Sequence, residues 1–227
     1  MNVIVSGTLP PPSAILFDWD NTLVENWRNI HAALNAALAD AGKEQLDIEQ
    51  VKILARHAAG SVLPQLFGPG VERAKGIFYA HFAANHLAGL RIMEGAEILM
   101  DQLLGRNVPL GIVSNKKGDL LRREVGHLGW SERFQTVVGA QDAKADKPDP
   151  APIYLALKRM HISTGSDIWM VGDTDVDMAA GQAAGCTTIL IGPGPADPAL
   201  MEGLTPALRC HNCTAFSGFL RDRWNTI

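Results

Sequence analysis

The chain has 227 residues, 47% of them hydrophobic and 19% charged, with 20 Lys and Arg against 24 Asp and Glu for a formal net charge of −4. That is too apolar and too weakly charged for a disordered chain, and the lack of a cationic surplus excludes a basic nucleic-acid binder. The length exceeds the roughly 100–150 residues usual for one domain, so one large domain, or one domain with an insert, is expected.

Met1 to Ser13 has no basic region, no long apolar run and a Pro10-Pro11-Pro12 end. It reads as a flexible lead-in over residues 1–12, not as a secretory signal. Strand-length apolar runs follow at Ala14–Phe17, Val108–Val113, Thr136–Val138, Ile168–Val171 and Thr188–Ile191. Helical spacing separates most of them, over Gly95–Arg106, Lys117–Leu128, Ala151–Met160 and Val176–Ala184, the last stopping at Gly185. Strands that alternate with helices imply βαβ units and a parallel sheet covered on both faces. One stretch breaks the alternation. Glu25–Ala41, Ile48–Ala58 and Val71–Leu87 are all helical in pattern, with a break at Gly68-Pro69-Gly70. So long a helical segment between the first strand and its next partner is no ordinary connection. It predicts a helical insert over 24–90 in an α/β core of 13–23 and 91–227.

No apolar run is long enough to span a membrane. The three cysteines, Cys186, Cys210 and Cys213, form no disulfide framework and suit a reducing, cytoplasmic setting. Cys210 and Cys213 have CxxC spacing, but a zinc site needs a second ligand pair, so both are expected to be plain thiols.

Four short motifs carry chemistry. The first strand runs into Asp18-Trp19-Asp20-Asn21-Thr22, where ligands of parallel sheets bind. In extended backbone Asp18 and Asp20 point the same way. A metal would keep Asp18 ionised and free to attack phosphorus, with Asp20 as general acid; the bland alternative is a pair of capping carboxylates. The second motif, Ser114-Asn115-Lys116 at the end of a strand, offers a hydroxyl, an amide and backbone N–H groups to phosphate oxygens, although Ser and Asn are also common caps. The third is Lys147 before Pro148, an ammonium able to neutralise phosphate and nucleophile together, or else a solvated turn lysine. The fourth is Gly172-Asp173-Thr174-Asp175-Val176-Asp177, in which Asp173 and Asp177 lie one helical turn apart. An oxygen-only cluster suits Mg²⁺ rather than zinc. Simple capping by Asp173 accounts for one of these acids and leaves the others unexplained.

Together and in this order, the four motifs resemble those of the haloacid dehalogenase superfamily of aspartate-nucleophile hydrolases, and the position of the insert resembles the helical cap of phosphoglycolate phosphatase-like members. The resemblance covers Ala14 to about Ile191. It implies a Rossmann-like three-layer core with an inserted cap, and a Mg²⁺-dependent phosphatase acting on a small phosphorylated metabolite. Asp18 would be the nucleophile and form an aspartyl-phosphate. Asp20 would protonate the leaving oxygen, then activate water, while its carbonyl ligates the metal. Asp173 would be the other direct protein ligand, with Asp177 supporting the metal shell. Ser114, groups near Asn115, and Lys147 would hold the phosphoryl group, and Thr22 would fix the loop. Two positions depart from the usual pattern. Trp19 stands where an aliphatic residue is common and is expected to pack into the core. Asn21 replaces the commoner Gly and tolerates left-handed backbone. Arg56 and His57, before an expected turn at Gly60-Ser61, are candidate specificity residues by analogy with a cap loop. A phosphosugar mutase and a non-catalytic phospho-ligand binder are the alternatives, although lost catalysis would leave the acids as a folding liability.

Overall fold

The computed structural model describes residues 3–6, 9–55, 59–195 and 197–224. Nine strands are described: β1 (Val3–Val5), β2 (Ala14–Phe17), β3 (Val24–Glu25), β4 (Arg91–Ile92), β5 (Leu110–Lys117), β6 (Thr136–Ala140), β7 (Ile168–Gly172), β8 (Thr187–Ile191) and β9 (Leu208–Cys210). The α-helices are α1 (Trp27–Asp40), α2 (Ile48–Ala55), α3 (Ala59–Phe67), α4 (Val71–Asn85), α5 (Ala96–Leu104), α6 (Gly118–His127), α7 (Ala151–Met160), α8 (Asp175–Ala183) and α9 (Cys213–Trp224). Two compact units result: residues 1–24 with 92–227, and residues 25–91.

The larger unit is a seven-stranded sheet in the order β1-β9-β8-β7-β2-β5-β6, parallel except where β1 meets β9. All four residues of β2 and all five of β7 are buried, as strands covered by helices on both faces must be. Ala14, Leu16, Val113, Val138, Ile168 and Met170 form one core with Ile153, Ala156 and Leu157 of α7 and Ala180 of α8. The fold is thus the α/β, Rossmann-like class expected. β2 lies inside the sheet, flanked by β5 and β7. The chain leaves β2 for β5 and β6 on one side, then crosses to β7 and β8 on the other. Such a reversal places the ends of β2, β5 and β7 around a crevice.

The smaller unit has its own core of Leu34, Ala37 and Leu38 from α1, Val51 from α2, Leu63 and Phe67 from α3, and Ala74 from α4. Arg73 adds a two-pronged ion pair to Asp40, at 2.6 and 2.7 Å.

The structure corrects three expectations. Val3–Val5, expected in a flexible lead-in, is an edge strand antiparallel to β9. The expected turn at Gly60-Ser61 is helix: α3 runs through both residues and Pro64. Local breakers are overridden there by Leu63 and Phe67, which bury themselves in the helical core. Finally, β5 does not stop at Val113 but continues to Lys117 after a shift of register.

Candidate active site

The end of β2 is tied to β7 by the Asp18 N–H, which donates to the Val171 carbonyl at 2.8 Å. The chain then turns tightly. The N–H groups of Leu23 and Val24 both reach the Trp19 carbonyl, at 3.0 and 3.2 Å. Asn21 adopts φ 63°, the left-handed backbone its side chain tolerates. This turn presents Asp18 and Asp20 beyond the strand end.

On the neighbouring strand, β7 runs into Asp173, and α8 starts at once. The helix is capped not by Asp173 but by Thr174, in a reciprocal box with Asp177. Asp177 Oδ2 accepts from the Thr174 N–H at 3.1 Å and from its hydroxyl at 2.7 Å. The other oxygen, Oδ1, lies 2.6 Å from Lys147 Nζ. Lys147 also donates to Asp18 Oδ1 at 2.7 Å and to the Val113 carbonyl at 2.7 Å. A buried ammonium therefore joins the end of β2 and the middle of β5 to the start of α8.

Asp18, Asp173 and Asp177 each offer an oxygen within 4.8 Å of the others. Three clustered carboxylates face one ammonium, and most of the cluster is out of water. Burial, aided by the Asp177 charge and against the pull of Lys147, raises the Asp18 carboxyl to about 7. Burial and the charges of Asp177 and Asp18 likewise hold Asp173 well above the usual carboxylate range. For Lys147 burial acts downward, but Asp177 and Asp18 outweigh it and raise the ammonium. An uncompensated buried acid cluster is costly, and its all-oxygen donor set fits a hard divalent cation.

The model of the family described as "Haloacid dehalogenase-like hydrolase" matches residues 15–191. The chain belongs to this family. The phosphoglycolate phosphatase of Rhodospirillum rubrum is 32% identical over 195 residues, 81% of this chain and 80% of that one. A solved structure from Haemophilus somnus, described as a predicted phosphoglycolate phosphatase, superposes with a TM-score of 0.82 at 20% identity, covering 94% of this chain and 100% of that one. A haloacid dehalogenase-like protein from Streptococcus pneumoniae gives 0.78 at 21% identity, over 92% and 98%. This haloacid dehalogenase-like hydrolase is accordingly a phosphatase.

The other candidate residues of the hydrolase are placed as follows. Ser114 is buried and its hydroxyl accepts from the Lys116 N–H at 3.2 Å. Asn115 clasps the Lys147 main chain: its amide donates to the carbonyl at 2.7 Å and accepts from the N–H at 2.9 Å. Thr22 is fully buried, its hydroxyl 3.5 Å from Asp173 Oδ1. Asp20 stands outside the three-acid cluster, with both carboxylate oxygens on Lys116 Nζ, at 3.0 and 3.2 Å. Arg56 and His57 lie outside the described residues. Trp19 is fully buried and packs edge-on against Trp130, ring centroids 5.8 Å apart.

Two residues of this region were missed by sequence reasoning, Lys116 and its partner Glu124, 2.9 Å away. The signal was present: Glu124 interrupts the apolar face Leu120, Leu121, Val125 of α6, all buried. The CxxC, in contrast, does sit between a strand and a helix, β9 and α9. Burial pushes both thiols up to about 12, and Cys213 donates to the Thr22 carbonyl at 3.3 Å. They behave as packed thiols. Among the described residues no helix is long and apolar enough to cross a membrane.

Proposed function

We propose that the enzyme is a Mg²⁺-dependent phosphomonoester hydrolase for a small phosphorylated metabolite, working through an aspartyl-phosphate on Asp18. The observation that carries this reading is the buried contact of Asp18 with Lys147 inside the three-acid cluster. A carboxylate held at a strand end by one ammonium is poised as a nucleophile. Asp18 and Asp173, with the Asp20 carbonyl, would hold the cation, and Asp177 would keep Lys147 and the Thr174 turn in place. A cation there supplies positive charge that keeps Asp18 ionised and offsets charge on the transferring group.

The chain's own residues account for the rest. Asp18 attacks phosphorus, and the bond to the leaving oxygen breaks as Asp20 gives that oxygen its proton. Water then attacks the phosphorus and Asp20 takes the water's proton. The bond to Asp18 breaks and inorganic phosphate leaves. Lys147 and Ser114, with backbone N–H groups at Asn115, position the phosphoryl oxygens. Residues 24–90 would serve as the cap that excludes water, with Arg56 and His57 as specificity candidates. The names of the relatives make 2-phosphoglycolate the first substrate to test.

The deciding experiment measures phosphate release over a panel of phosphorylated metabolites, with Mg²⁺ and with chelator. Turnover should need Mg²⁺, and Asp18→Asn should lower it by more than about 10³-fold while the fold persists. Undiminished turnover in Asp18→Asn would refute the nucleophile, and turnover unaffected by chelation would refute the metal.

A further inference from the structure

Beside the three-acid cluster lies a second charged group that the reaction steps above do not use. Lys116 Nζ sits 3.0 and 3.2 Å from the two oxygens of Asp20 and 2.9 Å from Glu124 Oε1. The other Glu124 oxygen accepts from the Trp19 indole N–H at 2.6 Å. Glu124 is wholly buried, and only 5% of the Lys116 side chain is exposed. We propose that Lys116 is a positioning residue for Asp20. It holds the carboxylate where Asp20 exchanges protons with the leaving oxygen and the attacking water, and Glu124 and Trp19 hold Lys116 in turn. The inference rests on the acid/base role given to Asp20 under the proposed function.

The connections form a closed ring. Trp19 and Asp20 are consecutive; Trp19 reaches Glu124, Glu124 reaches Lys116, and Lys116 returns to Asp20. A wholly buried carboxylate needs a cation against it, so Glu124 fixes where the ammonium must stand. The Trp19 indole, wedged against Trp130, fixes Glu124. The backbone of β6 packs closely against the junction of β5 and α6 that carries Lys116. A Cβ at Gly139 would lie 2.4 Å from Gly118 Cα and 2.8 Å from the Lys116 carbonyl oxygen. The ammonium therefore has little freedom, and it straddles both oxygens of Asp20. Swinging Asp20 away breaks two charge-assisted contacts at once. Asp20 is itself the least buried member of the ring, with 26% of its side chain exposed, and without such a hold it would sample several rotamers. Lys116 neither gives nor takes a proton in either step. It sets the geometry of the group that does, and a misplacement of about 1 Å can cost about 100-fold in rate.

The test is a double-mutant cycle on Lys116→Met and Asp20→Asn, read with β-glycerophosphate as substrate. Lys116→Met should lower kcat by about 100-fold with KM nearly unchanged. In the Asp20→Asn background it should cost almost nothing more, since residues acting as one unit are not additive. Removing the ammonium takes a cation from the wholly buried Glu124, so Lys116→Met/Glu124→Gln, which removes both charges of that pair, takes its place if thermal melting shows the single variant unfolded. A raised KM with unchanged kcat would make Lys116 a substrate contact and overturn the inference. A loss as large in Asp20→Asn as in wild type would overturn it too. If Asp20→Asn alone keeps full turnover, the acid/base reading of Asp20 fails and this inference falls with it.

Discussion

Lys147 owes its place to Asn115. The ammonium must meet Asp18, Asp177 and the Val113 carbonyl together, and a long flexible side chain does that only if its backbone is held. Both ends of the Asn115 amide hold it. Asn115→Ala should therefore cost about 1–3 kcal/mol of stability, two hydrogen bonds' worth, and lower kcat about tenfold through looser Lys147 placement. Paired melting and steady-state assays check both, and unchanged kcat with lowered stability would make Asn115 a structural clasp only. This contact also marks how far the site could be read from sequence. Asp18, Asp173 and Asp177 were legible as neighbours because Asp18 and Asp173 follow the apolar strands β2 and β7 and Asp177 comes one helical turn after Asp173; the place of Asp20, outside that cluster on Lys116, was not. Lys116 and Glu124 were not, because their meeting depends on how α6 lies against the end of β5. The sequence offered Asn115 as a phosphate-binding candidate, and its clasp on Lys147 was not legible, since that partner is 32 residues away.

The join of β7 to α8 leaves no room for a side chain at Gly172. A Cβ there would lie 2.3 Å from the Asp177 carboxyl carbon. Gly172→Ala should push Asp177 off Lys147 and Thr174, at about 1–3 kcal/mol for the overpacking, and should shrink the thermal shift on adding Mg²⁺. A full Mg²⁺ shift in Gly172→Ala would show that Asp177 has no part in holding the cation site together. Legibility at this scale followed packing. Ala14–Phe17 and Ala151–Met160 match their sequence-based bounds, because dense apolar runs and a Pro-bounded helix start leave little choice. Among the elements missed, the three-residue strands β1 and β9 have weak local signals and gain their hydrogen bonds from neighbours, β1 from β9 and β9 from both β1 and β8; β3, β4 and α9 were not read either, and α3 was hidden because Gly60 and Pro64 argue locally against a helix.

For the molecule as a whole, the acid cluster couples stability to pH and, on the proposed function, to metal. Without a cation the folded Asp18 carboxyl titrates near 7 instead of 3.8, and Asp173 is raised as well. Between those two values the folded chain keeps a proton that the unfolded chain has released. Stability from this site is thus full below 3.8 and is lost as pH rises through about 7. Lys147, also raised, acts only in alkaline solution, above the ordinary lysine range. The proposed cation would take the ionised carboxylates, so its binding would expel the proton and stabilise the fold most where the free cluster is weakest. In chelator, the wild-type melting temperature should fall relative to that of Asp18→Asn as pH climbs from 3.8 to about 7. Mg²⁺ should reverse the fall, by about 2.7 kcal/mol at a hundredfold excess over Kd. The comparison cancels titrations remote from the cluster, which the two proteins share; Asp173 and Lys147, which feel the Asp18 charge, move with it. A constant gap between wild type and Asp18→Asn across that window would show that Asp18 carries no such shift, and a Mg²⁺ increment independent of pH would show that the cation binds away from these acids.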